Sequence, residues 1–317
     1  MRTLTGTLLA IVLTLAPVAQ AQDYPTKPIR IITAGVGGAT DFAARTIAPG
    51  VTAALGQQIV VDNRASGVIP GEIVAQSKPD GYTLLFYGPP VWLAPFLLEK
   101  MPYDPVKDLA PVILAVSSPA ILVVHPSLPV KSVNDLIALA RSKPGQLNYG
   151  TSGTATTTHI SGELFKSMAG LDIVRVNYKG AGALITDLLA GQLQFTFATA
   201  TSVSSHIKEG GRLRALAVTS AKPSPLLPGL PTVASAGLPD YVSESTSAMF
   251  APAGTPKAII DRLNQAIVGV LNSPEVKERF FRAGSDVVAS TPEQLASAVN
   301  SEIARLVKVI RDPAFRQ

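Results

Sequence analysis

The sequence predicts an α/β protein built from two domains, and three observations support this fold class. Short apolar runs alternate with amphipathic stretches along the chain, which is typical of βα units and mainly parallel sheets. The chain has 317 residues, more than one domain usually contains. With 47% hydrophobic and 15% charged residues, it carries enough apolar material for sizeable cores, and this composition argues against disorder.

The predicted elements follow one another in a regular order. The predicted strands are residues 29–32, 59–61, 82–86, 121–124, 174–178, 195–198 and 213–218. The predicted helices are residues 133–141, 157–168, 183–189, 256–271, 274–283 and 292–310. Thr255, Ser273 and Thr291 each precede a proline, so each is expected to cap a helix that begins at that proline. Pro49 interrupts a helix expected over residues 41–55, which should kink or end near Ala48.

The N-terminus has the pattern of a secretory signal peptide. Arg2 gives a basic start, residues 7–18 are almost entirely apolar, and Ala19-Gln20-Ala21 has the small-x-small form of a cleavage site. The apolar run is shorter than the ~20 residues of a membrane span. We therefore expect an exported protein, cleaved near Ala21.

Composition excludes several classes of function. The chain has no cysteine, so disulfides, thiol catalysis and cysteine-ligated metal sites are ruled out. Its formal net charge of +5 comes from scattered lysines and arginines without a dense basic run, so we expect no nucleic-acid partner. The three histidines, His125, His159 and His206, lack the spacing of metal ligands. We expect neither a metal nor a cofactor.

A glycine-rich turn, residues 33–41, follows the first predicted strand and leads into a helix. Glycines allow close backbone approach, and a helix N-terminus favours an anion. The candidate ligand-binding residues here are Val36, Gly37, Gly38, Thr40 and Asp41. Asp41 is expected either to cap the helix or to brace the turn. The alternatives are an ordinary strand-to-helix turn and, more weakly, a dinucleotide fingerprint whose third glycine would fall at Thr40.

A hydroxyl-rich turn, residues 149–159, has the same arrangement in mid-chain. Hydroxyls and unpaired backbone N–H groups at a helix start suit a carboxylate. The candidate ligand-binding residues here are Thr151, Ser152, Gly153, Thr154, Thr156, Thr157 and His159. A plain helix cap is the alternative for the turn. For His159 the alternatives are a general base and a structural role, and the absence of an adjacent nucleophile favours the structural role.

Further candidates lie where other predicted strands end, because ligands bind at the carboxyl ends of strands in open α/β sheets. They are Tyr87 and Gly88 after one strand, and Thr199 and Ala200 after another. Lys179 is either a contact for an acidic ligand or a solvated loop residue.

A set of ordered motifs extends over nearly the whole mature chain. The motifs are Tyr24-Pro25-Thr26-Lys27-Pro28, Gly37-Gly38-Ala39-Thr40-Asp41, Val61-Asp62-Asn63-Arg64, Lys78-Pro79-Asp80-Gly81-Tyr82, the hydroxyl-rich turn, Tyr178-Lys179-Gly180 and Ala251-Pro252-Ala253-Gly254-Thr255-Pro256. In this order and spacing they resemble the Bug-type solute-binding proteins of tripartite tricarboxylate transporters.

The resemblance implies a type II periplasmic-binding-protein fold, in which two α/β lobes with mainly parallel sheets enclose a ligand cleft. We expect residues 1–21 to be the signal peptide, residues 22–120 plus 246–317 to form lobe 1, and residues 121–245 to form lobe 2. Residues 111–124 and 243–253 would be the two crossovers between the lobes. The lobes would close on the ligand by hinge motion.

The resemblance also implies a function without catalysis. A monomeric periplasmic protein would hold the carboxylate of a small organic acid between the two turns and deliver it to membrane permease subunits. The bulky, apolar segment 87–92 departs from the family pattern and indicates a larger or more apolar acid, such as an aromatic or long-chain one. One alternative is a ligand sensor acting on a signalling receptor, and a more distant one is a nucleotide-using α/β enzyme.

Overall fold

The computed structural model describes residues 24–36, 39–64, 68–97, 100–153, 156–178, 180–207, 211–225 and 227–311. The strands are β1 Ile29–Thr33, β2 Ile59–Asn63, β3 Thr83–Tyr87, β4 Leu109–Val124, β5 Asn148–Thr151, β6 Val174–Asn177, β7 Phe195–Thr199, β8 Arg214–Val218, β9 Glu244–Pro252 and β10 Asp286–Val287. The helices are α1 Ala39–Leu55, α2 Val68–Ala75, α3 Pro90–Leu97, α4 Val133–Ser142, α5 Thr157–Ala169, α6 Ala181–Leu189, α7 Ala200–Val203, α8 Lys257–Leu271, α9 Pro274–Arg282 and α10 Pro292–Ile310.

The strands are arranged in the order β2-β1-β3-β9-β4-β7-β5-β6, with β8 and β10 also paired to β4. On one side β1 lies parallel to β2 and β3, and on the other β5 lies parallel to β6 and β7. Strands β4 and β9 are antiparallel to their neighbours. Two groups of parallel strands flanked by helices confirm the predicted two-lobed α/β fold.

Strand β4 joins the two groups. Its residues from Leu109 to Pro119 pair with β9, whereas those from Ala120 to Val124 pair with β7. The expected crossover segments 111–124 and 243–253 thus coincide largely with β4 and β9, which pair with each other. The exact lobe boundaries stay a prediction.

Five aromatic side chains pack together in the second group of strands and the segments that cover it. Phe165 lies 5.6 Å from Phe197, measured between ring centroids, and Phe197 lies 6.1 Å from Tyr241. Tyr149 stacks on Phe195 at 5.8 Å. Such ring pairs add to the stabilisation from burial alone. These five aromatics therefore form a local cluster, and aliphatic residues fill much of the remaining core.

The predicted helix caps and helix ends are only partly confirmed. Ser273 Oγ accepts a hydrogen bond from the N–H of Val276, as expected of a cap. The prediction is wrong for Thr255, because α8 begins at Lys257 and the Thr255 hydroxyl donates to the carbonyl of Pro252 instead. Helix α1 does not end near Ala48 but continues through Pro49 to Leu55.

We expect Thr291→Ala to lower the free energy of unfolding by about 1 kcal/mol, the usual cost of losing a helix cap. Thr291 Oγ1 accepts a hydrogen bond from Gln294 N at 3.2 Å, and Gln294 Oε1 accepts one from Thr291 N at 2.9 Å, so the two residues form a reciprocal cap. Urea denaturation measures the loss. Thr291→Ser keeps the hydroxyl and should cost much less; equal losses for both variants would contradict the capping role.

The expected signal peptide, residues 1–21, lies outside the described residues. Of the helices in the part of the chain that the structure describes, none has both the length and the apolar character required to cross a bilayer.

Candidate functional site

A cavity of about 250 Å³ lies where the N-termini of α1, α3 and α5 approach β9 and α10. It is slightly smaller than the pockets of about 300–1,000 Å³ that drug-sized ligands occupy, so its size suits a small organic molecule. The lining residues are Ala39, Thr40, Tyr87, Gly88, Pro89, Pro90, Thr156, Thr157, Ile160, Ser243, Glu244, Ser245, Thr246 and Glu302.

The cavity brings together residues of both predicted turns. Thr40 belongs to the glycine-rich turn, whereas Thr156 and Thr157 belong to the hydroxyl-rich turn, more than a hundred positions later. Tyr87 and Gly88, at the end of β3, also line it. Because Ala39 and Thr40 begin α1 and Thr157 begins α5, two helix N-termini face the cavity. The N–H groups and the positive dipole end of a helix N-terminus favour an anion.

Several hydroxyls of the cavity wall have no partner within the described protein. The side chains of Thr40, Tyr87, Thr157 and Ser245 make no hydrogen bond to another described residue. Thr246 Oγ1 is fully buried and likewise has no partner there. Burial raises the pKa of the Tyr87 phenol further above neutral pH, so this hydroxyl is protonated and able to donate. A fully buried hydroxyl without a partner is costly, so Thr246 Oγ1 is placed to bind something that enters the cavity. The other four hydroxyls are half-buried and are available to the same ligand.

Asp41 braces the first turn rather than facing the cavity. The residue is 3% exposed, and its Oδ1 accepts hydrogen bonds from Arg45 Nε at 2.8 Å and Asn63 Nδ2 at 2.7 Å. Asn63 Nδ2 also lies 2.6 Å from the carbonyl of Ala34, to which it donates. Of the two roles considered for Asp41, these contacts favour the brace.

The second turn uses most of its hydroxyls internally. Thr156 Oγ1 caps α5 by accepting from His159 N, and it donates to the carbonyl of Gly153 at 2.7 Å. Thr158 Oγ1 accepts a hydrogen bond from Ser152 N at 2.8 Å. These contacts hold the turn against the helix start and leave the hydroxyl of Thr157 for a ligand.

The remaining candidates lie away from the cavity lining. Thr151 is fully buried and donates to Asn177 Oδ1 at 2.7 Å. Val36 is 79% exposed, and Thr199 and Ala200 lie at the β7–α7 junction. Ser152 and Gly153 contribute to the turn but are not among the lining residues. Gly37, Gly38, Thr154 and Lys179 lie outside the described residues.

His159 belongs to a buried polar cluster. It is fully buried, and Arg175 donates a hydrogen bond to its Nε2. Arg175 also forms a salt bridge with Glu163, whose carboxylate accepts a hydrogen bond from the Tyr149 hydroxyl. These contacts correspond to the structural role that the sequence favoured for His159.

Two acidic residues complete the cavity wall, and sequence reasoning missed both. Glu302 of α10 accepts a hydrogen bond from Trp92 Nε1 at 2.9 Å, and Glu244 of β9 accepts one from the Ser117 hydroxyl. The pKa of Glu302 is raised to about 7, mainly by burial; the Trp92 hydrogen bond and Arg305 lower it, and the charge of Glu244 adds a smaller increase. Sequence reasoning did single out the segment 87–92 as unusual, and this segment contains Trp92, which donates the hydrogen bond to Glu302.

The two-lobed fold and the cavity between two helix N-termini define the class of solute-binding proteins. The chain belongs to the TctC family, described as the tripartite tricarboxylate transporter family receptor, whose model matches residues 43–314. The predicted resemblance to Bug-type proteins is thereby confirmed.

Similar proteins support this assignment over nearly their full lengths. Protein BugT of Bordetella pertussis is 37% identical over 302 residues, which cover 94% of this chain and 92% of BugT. A protein of R. palustris solved with adipate is 38% identical, with a TM-score of 0.75 over 90% of this chain and 97% of that one. MatC from Rhodopseudomonas palustris, solved with bound malate, is 28% identical, with a TM-score of 0.73 over 90% of this chain and 100% of MatC.

Proposed function

We propose that this protein captures a small organic carboxylate in the periplasm and delivers it to the membrane permease of a tripartite tricarboxylate-type transporter. The observation that carries the proposal is the convergence on one cavity of two helix N-termini and several hydroxyls that have no partner among the described residues. Helix N-termini and hydroxyls can bind an anion even where the site has no positively charged side chain. Adipate and malate in the related structures are both small carboxylates, which supports the same ligand class here.

In this proposal the carboxylate lies between Thr40 of the first turn and Thr157 of the second. Residues 22–120 with 246–317 form one lobe and residues 121–245 the other, and the lobes close on the ligand by hinge motion. Pro89 and Pro90 of the segment 87–92 line the cavity and give one side of it an apolar, rigid wall. That wall favours ligands with an apolar body.

A thermal-shift screen of the mature protein tests the proposal. Organic acids, including adipate, malate, hexanoate and benzoate, are compared with neutral and cationic solutes of similar size. A ligand that binds only the folded state stabilises it by about 2.7 kcal/mol at a hundredfold excess over Kd, and so raises the melting temperature. If neutral or cationic solutes shift the melting temperature and no carboxylate does, the proposal is wrong.

A variant at Gly88 locates the binding site. A Cβ at this position would lie 2.7 Å from the backbone carbonyl of Thr246, so Gly88→Ala must displace one wall of the cavity. We expect affinity for the best carboxylate of the screen to fall by about tenfold or more, or about 1.4 kcal/mol. Gly182→Ala is the control, because a Cβ there meets nothing within 4 Å. Unchanged affinity in folded Gly88→Ala would remove the β3–α3 turn from the site.

A further inference from the structure

The charges on the cavity wall are all of one sign. Glu244 and Glu302 line it, and no lysine, arginine or histidine is found among the described lining residues. Neither glutamate forms a salt bridge with a residue that the structure describes. The helix N-termini of α1 and α5 suit an anion, whereas the β9 and α10 side of the cavity suits a cation.

The carboxylates of both glutamates are only partly used by the protein. Oε2 of Glu302 accepts the Trp92 hydrogen bond, and Oε2 of Glu244 accepts that of Ser117. Within the described part of the chain, the Oε1 atoms have no hydrogen-bond partner. Thr246 Oγ1, buried and unpartnered on the same wall, is a further acceptor for a donor that enters the cavity. One end of a ligand would therefore meet several unused acceptors.

A dicarboxylate and an amino acid would meet this wall very differently. If one carboxylate of a dicarboxylate occupies the helix N-termini, its second carboxylate faces two acidic side chains without an intervening cation. Carboxylates that line the same cavity repel one another, and burial strengthens this repulsion. A protonated amine in the same place would donate to the Oε1 atoms and offset their charge.

We propose that Glu302, together with Glu244, makes this cavity select organic acids whose other end carries a protonated amine. The inference rests on the proposed carboxylate-binding function and specifies the ligand class. Glu302 is the specificity-determining residue because its second oxygen is unused and because it is held in position by Trp92 through the 2.9 Å hydrogen bond.

The protonation state of Glu302 is consistent with this selection. Its pKa is about 7, with burial as the main cause; the Trp92 hydrogen bond and Arg305 lower the pKa, and Glu244 raises it. A neighbouring ammonium group favours the ionised carboxylate and so lowers that pKa. Binding of an amino acid should therefore weaken as the pH falls below about 7, whereas binding of a dicarboxylate should strengthen as Glu302 becomes protonated.

The experiment compares matched pairs of ligands by isothermal titration calorimetry at pH 8. One pair is 6-aminohexanoate and adipate, and the other is 4-aminobutanoate and succinate; the members of each pair differ in one terminal group. We expect the amino member of at least one pair to bind about tenfold tighter or better, the effect of one well-placed charge-assisted hydrogen bond. At pH 6 this preference should shrink.

Two variants assign the preference to Glu302. Glu302→Gln removes the charge but keeps an oxygen to accept from Trp92, and it should reduce the preference for the amino member by about tenfold. Glu293→Gln is the control, since Glu293 lies exposed on the same helix and away from the cavity. Melting temperatures of both variants confirm that they are folded.

The outcomes separate this inference from the proposed function. Tighter binding of the dicarboxylates, or a preference that survives in Glu302→Gln, overturns the inference and leaves the carboxylate-binding function standing. If neither member of either pair binds and no other carboxylate raises the melting temperature, both proposals are overturned. A preference for the amino member that is lost in Glu302→Gln and kept in Glu293→Gln supports both.

Discussion

Replacing Glu163 with alanine lowers the free energy of unfolding by about 3–5 kcal/mol, the usual cost of breaking a buried ion pair from one side. Glu163 is 5% exposed and lies on α5 behind the hydroxyl-rich turn. Its carboxylate accepts hydrogen bonds from the Tyr149 hydroxyl and from Lys166, and Oε1 lies 3.7 Å from Arg175 Nη1. Without it, the Arg175 side chain, which is 9% exposed, loses its carboxylate partner inside the protein.

Urea denaturation of Glu163→Ala and of a surface counterpart checks this result. Glu278 pairs with Arg282 at 2.7 Å, but its side chain is 55% exposed and that of Arg282 is 78% exposed. Water screens such a pair, so Glu278→Ala should cost no more than about 1 kcal/mol. Similar losses for the two variants would mean that the buried cluster around Glu163 does not stabilise the second lobe in the way its contacts indicate.

The second large effect is a pH dependence of stability that originates at Glu302. Its pKa is raised from an ordinary value of 4.5 to about 7 in the folded protein. The folded state therefore binds this proton more tightly than the unfolded state does, and the stability that the proton confers is complete below about pH 4.5. It is lost as the pH rises through about 7, and the total loss amounts to about 3 kcal/mol.

Comparing wild type with Glu302→Gln isolates this contribution. Because glutamine does not titrate, we expect the variant to gain stability relative to wild type as the pH is raised from 5 to 8. Denaturation curves at unit intervals of pH measure the difference in unfolding free energy. Glu293→Gln serves again as control, since the pKa of exposed Glu293 is lowered by hydrogen bonds at the helix start. Parallel pH profiles for wild type and Glu302→Gln would contradict a raised pKa at this residue.

Local sequence patterns predicted many of the strands and helices, but not α2, α3 or β9. The run 195–198 became β7 Phe195–Thr199, and the helix at 292–310 has the predicted bounds. Local patterns also did not predict the full length of β4, because Pro111 and Pro119 interrupt its apolar pattern. The register of β4 against β9 shifts between Pro111 and Ile113, and such an irregularity accommodates a proline, which cannot donate a ladder hydrogen bond. That accommodation depends on the partner strand, which a local pattern does not contain.

The same distinction applies to the candidate site. Thr40 and Thr157 were predictable because a polar turn between a strand and a helix is a local feature. The β9 residues and Glu302 enter the cavity through long-range packing, and Glu302 is 210 positions from its hydrogen-bond partner Trp92. An acidic residue in an amphipathic helix is ordinarily assigned to the solvent face. Tertiary structure reverses that assignment here.

Trp92 gives this protein an intrinsic optical probe. It is the only tryptophan in the chain, it is 2% exposed, and its indole N–H is bonded to a side chain of the cavity wall. The emission of an indole depends on the charge and polarity around it, so ionisation of Glu302 and occupation of the cavity both act directly on this single fluorophore. Emission spectra of the unlabelled protein can therefore follow both events in solution, free of signals from other tryptophans.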